Sequence, residues 1–208
     1  MATHLSLLEF SIFTLTLSLS GVMAPGPMSA VTLNHGTTSR FAGLKVATGH
    51  ALVELPVIIA LFYGIQIITK ITDITTYVTL AGGIVLFILA TLTLKSLKNE
   101  SNVYTHSPLI DGIVLSAFNP YFYIWWLTIG LTLIQKATNM GNLGLPMLSV
   151  LHLSCDYIWL LVLSSLSFAG ASFLGNKFTK AVGIVTVIML YAFGLFFVYD
   201  ALRRTYII

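Results

Sequence analysis

Residues 10–33 read FSIFTLTLSLSGVMAPGPMSAVTL, a run of 24 residues without a charge and with Pro25, Gly26 and Pro27 set inside it. About 20 apolar residues carry a helix across the hydrocarbon core of a bilayer, so the run predicts a membrane span. Each proline removes a backbone donor and the glycine frees the backbone between them, so the span is expected to be broken or unwound there. Inside a membrane such freed groups are tolerated only where they are buried in protein or line a wet cavity. The lead-in, MATHLSLLEF, has no Lys or Arg and no small-residue cleavage site. The run therefore reads as a retained span and not as a secretory signal.

Outward from this stretch the same ruler finds five more apolar runs: Gly43 to Ile68, Ile74 to Leu94, Leu109 to Ile134, Met147 to Ala169 and Ala181 to Tyr199. The polar connections between them are too short to fold alone, and residues 1–208 read as a single membrane domain. The longest connection, around Asn99 to Ser107, is the expected midpoint. Composition agrees: 57% of residues are hydrophobic and only 8% charged, where soluble chains carry about a quarter. That excludes a water-soluble enzyme, a disordered chain and a nucleic-acid binder. A net charge of +3 belongs to loops at a membrane surface. The lone Cys155 excludes an intrachain disulfide.

Arg40, Lys45, Lys95, Lys98, Lys177 and Lys180 fall in the first, third and fifth loops; Lys70, Lys136, Arg203 and Arg204 fall on the other side. The positive-inside rule then places the odd loops in the cytoplasm and both termini outside.

Residues that disturb helices recur in matching places. Span one holds Pro25-Gly26-Pro27 and span four holds Asn119-Pro120; span two carries His50 and Glu54, and span five carries His152 and Asp156. Both pairs are a histidine followed by an acid at i+4, on one helix face. A break, a His–acid pair and a plain third span thus occur once in each half, about residues 5–95 and 108–202. Three spans per unit force the copies to insert in opposite senses. The expected fold is an all-α integral membrane protein of six transmembrane helices in a 3+3 inverted repeat, a plan of secondary transporters whose sites lie where broken helices meet near the midplane.

Glu54 and Asp156 carry the strongest chemical signal. A charge at the bilayer centre costs about 2.5 to 3.5 kcal/mol on insertion scales, and intramembrane acids commonly mark ion or substrate paths. The blander alternative is that the acids bond to nearby histidines and glue helices together. His50 and His152, whose protons exchange near neutral pH, suit a relay beside the acids. Two histidines and two acids also form a donor set that suits a divalent cation. The four are taken as ion-coupling residues, and Pro25, Gly26, Pro27, Asn34, Asn119 and Pro120 as substrate-binding ones. The aromatic run Phe118 to Trp126 reads mainly as packing, with cation–π contact to an ammonium group as its functional alternative.

At these residues the chain resembles the lysine exporter (LysE/RhtB) family of amino-acid exporters. The resemblance lies in APGP followed by TLNHGTTSRFAGLKVATGH, in the Asn-Pro of SAFNPYFYIWW and in HLSCDYIW, and it covers essentially the whole chain. It implies export of an amino acid or similar small metabolite across the cytoplasmic membrane, driven by proton antiport. The aromatic run after Asn119-Pro120 departs from members that carry Lys or small residues there, and so leaves the substrate open. A divalent metal-ion exporter is one alternative. An intramembrane hydrolase is another, although HExxH is absent. The expected partners are a small-molecule substrate, a coupling proton, the lipid bilayer and a further copy of the chain, with no cofactor and no enzymatic activity.

Overall fold

The computed structural model describes residues 6–24, 26–64, 73–98 and 107–206, and all regular structure among them is helical. Helix α1 (Leu7–Val22) opens with a capping box: the Ser6 hydroxyl accepts from the Glu9 N–H, and the Glu9 carboxylate accepts from the Ser6 N–H at 2.8 Å. That exchange satisfies donors that a helix start leaves free. Helix α2 (Pro27–Gly36) starts with Pro27 at its first position, where a missing N–H is harmless. The two axes meet at 79°, so the first apolar run is broken as its Pro-Gly-Pro predicts. Pro25 itself lies outside the described residues.

Helix α3 (Ala42–Gly64) covers the second run and α4 (Asp73–Lys98) the third. The fourth is divided more finely than its single Asn-Pro suggested, into α5 (Pro108–Ala117), α6 (Pro120–Trp125), a π-helical turn (Trp126–Gly130) and α7 (Leu131–Thr138). Asn119 cannot continue α5 because a residue before proline is pushed out of the helical region. It caps α6 instead, its side chain accepting from Tyr121 N–H at 3.0 Å. Helices α8 (Gly144–Leu174) and α9 (Asn176–Tyr206) are parted only by Gly175, whose φ of 63° suits a residue without a side chain. The polar connection between the fifth and sixth apolar runs is therefore almost entirely helical.

Among the described residues three helices, α3, α8 and α9, are long and apolar enough to cross a membrane, and the bent α1–α2 pair makes a fourth if it is counted as one span. Six were expected. The fourth run misses because its breaks leave only short helices; within α4 the stretch Leu80–Lys95 is an apolar helix. The expected midpoint loop and Lys70 lie outside the described residues, apart from Ser107.

Close packing depends on glycine. A Cβ at Gly49 of α3 would strike the backbone of Leu109 and Ile113 on α5, and one at Gly112 of α5 would strike the backbone of Val46 and His50 on α3. The two helices thus touch main chain to main chain, as small residues allow in membranes. Gly43 meets Leu160 and Ser164 of α8 in the same way, while Gly83 and Gly194 bring α4 and α9 together. Along α3 and α8, Gly43 faces Leu160 and Glu54 faces His152, so these helices run antiparallel. Their apolar contacts form two clusters, one including Ile58, Leu61 and Leu148, the other Val46, Ala47 and Leu160. His50, Glu54, His152 and Asp156 occupy the turns between.

Candidate functional site

Helix α3 supplies His50 and Glu54, helix α8 supplies His152 and Asp156, and their antiparallel contact brings all four together. None is more than 7% exposed. Glu54 Oε1 is the hub: His50 Nε2 stands 3.2 Å away, His152 Nε2 3.1 Å, and the Trp126 indole N–H donates to it at 3.0 Å. Asp156 lies 3.8 Å from each imidazole. Among the described residues Glu54 Oε2 and Asp156 Oδ2 have no hydrogen-bond partner.

The far nitrogen of each imidazole is held by a serine from the opposite half of the chain. His50 Nδ1 lies 2.7 Å from Ser116 Oγ on α5, and His152 Nδ1 lies 2.7 Å from Ser18 Oγ on α1. Ser116 donates its own proton to the Gly112 carbonyl at 2.5 Å. Its hydroxyl therefore accepts from His50 Nδ1–H, which fixes that tautomer and leaves Nε2 to share a proton with Glu54. An activated nucleophile would need the opposite polarity, with serine donating to imidazole. Aromatic rings close over the imidazoles: Phe122 meets His50 edge-on at 5.5 Å, while Trp125 and Trp126 stand 5.1 and 5.0 Å from His152.

A cavity of about 260 Å³ opens onto this cluster, lined by all four titratable residues and Ser116, by Ala24 and Gly26 through Ser29 at the first break, and by Asn119 at the second. Tyr121, Phe122, Trp125 and Trp126 line it too, joined by Phe193, Phe196 and Phe197 of α9. Both breaks and both His–acid pairs thus face one space. Asn34 sits in the last turn of α2, outside this lining, where its carbonyl accepts from Thr37. Pro120 is also outside it, packed toward Gly82 of α4.

The model of the LysE type translocator family matches residues 19–201 of this chain. The chain belongs to that family. No match was found among curated proteins or among solved structures. As a LysE type translocator it is a membrane transport protein.

Sequence reasoning missed Ser18, Ser116 and Trp126 as partners of the cluster. Serine is abundant in the apolar runs, and nothing local separates these two from the rest; only their shared position shortly before each break is a signal. It also missed a second buried pair, His35 of α2 and Asp111 of α5, whose Nε2 and Oδ2 are 2.8 Å apart and whose side chains are 4% and 1% exposed. His50, Glu54 and Asp156 present ligand atoms all within 4.8 Å of one another, a set in which imidazole and carboxylate suit a divalent ion.

Proposed function

We propose that this translocator is a secondary exporter that moves an amino acid or similar small metabolite out across the cytoplasmic membrane in exchange for protons. One observation carries the reading: the two helix breaks and the two His–acid pairs line a single buried cavity. Glu54, Asp156, His50 and His152 are the ion-coupling residues, because mutually contacting carboxyls and imidazoles exchange protons at little cost in geometry. Pro25, Gly26, Pro27, Asn119 and Pro120 shape the substrate side through the backbone they free, and Asn34 acts from the end of α2.

The reading includes six crossings in a 3+3 inverted repeat, residues 5–95 and 108–202 within one domain, with both termini outside. Reciprocal packing supports it: α3 pairs with α8, α4 pairs with α9, and the α3–α5 contact answers the α8–α1 contact. The crossed serine–histidine bonds have the same reciprocity.

A second reading, export of a divalent metal ion, is favoured by the proximity of the ligand atoms of His50, Glu54 and Asp156. Against it, Glu54 Oε1 is already engaged by Trp126 and His152. The test is efflux of labelled amino acids and divalent cations from loaded proteoliposomes with and without an imposed pH gradient. Amino-acid efflux that rises with external acid supports the proton exporter. Efflux indifferent to the gradient removes antiport, and cation efflux alone moves the assignment to the second reading.

A further inference from the structure

The short helices beside the two breaks, α2 and α5, lie against each other. Pro27, at the start of α2, and Asn119, between α5 and α6, both border the cavity. Four residues further along α2, Val31 shares an apolar cluster with Leu115, four residues back along α5 from Asn119. Four more bring His35 to Asp111, with Nε2 and Oδ2 2.8 Å apart. Residues four apart share a helix face, so one antiparallel seam runs from the breaks to this pair. Val31, Leu115, His35 and Asp111 are all buried.

The cavity stops at the head of the seam. It is lined on α2 no further than Ser29, on α5 by Ser116, on α3 from His50 onward and on α8 up to Leu160. The turns beyond, toward Arg40 in loop one, line no part of it. Each side of the seam is fastened to different neighbours. Helix α2 is bonded to α8 and α9, where the Ser167 hydroxyl donates to the Leu33 carbonyl at 2.6 Å and the Thr186 hydroxyl to the Ala30 carbonyl at 3.0 Å. Helix α5 is pressed on α3 through Gly49 and Gly112. His35 and Asp111 join the two blocks.

Apolar side chains would close the seam equally well, since a buried ion pair is often no more stable than apolar residues of similar volume. What a polar pair adds is a second favourable state. Once the seam parts, water can hydrate an imidazole and a carboxylate that have let go of each other, whereas parted apolar side chains would face water unaided. Closed and open forms then lie close enough in free energy for a ligand to shift one to the other.

We propose that His35 and Asp111 form a latch. It holds α2 against α5 and so shuts the cavity off from loop one; its release parts the seam and opens the cavity on that face. The proposal rests on the exporter reading, in which the central site meets each side of the membrane in turn.

The test is the rate at which a membrane-impermeant maleimide reaches one cysteine, Val31→Cys, in the full chain carrying Cys155→Ala. Vesicles of both orientations present each face to the reagent. With the latch intact, labelling should be slow. Asp111→Ala removes one partner of a buried hydrogen bond and should raise the rate on the order of tenfold, only from the face that carries Arg40. If that variant does not fold, Asp111→Asn, of equal size and without the charge, should give a rise of the same sign and sidedness. A pair that serves packing alone predicts an unchanged rate or an equal rise from both faces, and either result overturns the latch. Failure of the native chain to move any amino acid in proteoliposomes removes the exporter reading, while the sidedness of labelling still decides the latch.

Discussion

His152 stands 3.1 Å from Glu54, although 98 residues separate them in the chain. His50 answers the acid one turn along its own helix at 3.2 Å, whereas His152 stands closer to Glu54 than to Asp156 on its own helix. One carboxylate oxygen thus serves both imidazoles and an indole, so Glu54 is the centre of the cluster and Asp156 its looser member. The two acids are therefore not equivalent, and their substitutions should differ.

Glu54→Ala should be the more damaging change, since it strips the acceptor from His50, His152 and Trp126 together. Breaking a buried charged pair typically loses about 3 to 5 kcal/mol. Glu54→Gln keeps an acceptor and should preserve most of the fold while abolishing gradient-driven efflux. Thermal unfolding of the purified protein and efflux under a pH gradient measure the two effects; wild-type efflux from Glu54→Gln would return the cluster to a packing role.

Ser116→Ala and Ser18→Ala each remove the hydroxyl that holds one imidazole at Nδ1. Loss of one buried hydrogen-bond partner costs about 1 to 3 kcal/mol, so both variants should fold with lowered melting temperature. If the halves are related by symmetry, the two changes should shift the pH profile of transport in the same direction. Opposite shifts would count against the repeat.

At the α3–α5 contact, Gly112→Ala is expected to destabilise by about 1 to 3 kcal/mol, the usual range for an overpacked site. The new methyl would meet the backbone of Val46 and His50, which cannot move aside as a side chain can. Gly64→Ala, with nothing among the described residues within 4 Å, is the control. Equal stability of the two variants would show that α3 and α5 are not in main-chain contact.

For topology, membrane-impermeant amine reagents should reach Lys95 and Lys177 only from the cytoplasmic side. Labelling of either lysine in intact cells would reverse the orientation.

How far this was legible in the chain follows from which residues announce themselves. Pro25-Gly26-Pro27 and Asn119-Pro120 mark breaks because each sets a second helix-disfavouring residue beside a proline, whereas the single Pro56 lies inside α3 without ending it. The acids stand out because charge in an apolar run is expensive. Ser18, Ser116 and Asp111 do not stand out: a serine satisfies itself on its own helix backbone as easily as on a distant imidazole, as Ser11 does on Leu7 at 2.8 Å. Asp111 sits in the first turn of α5 and reads as a helix-start acid; only its meeting with His35 distinguishes it. The π turn after Trp125 was equally hidden, since Trp126 to Gly130 contains no residue that forbids an ordinary helix.

The crossed bonds from Ser18 to His152 and from Ser116 to His50 have a consequence for assembly and inheritance. Neither half of the chain completes its own histidine: each imidazole is steadied by a hydroxyl that arrives from the other half. Two fragments divided within residues 99–106 would each insert with an unfinished cluster, and function would return only when both were made together. A substitution fixed in one half is thus felt first in the other, so the two halves are bound to change in step.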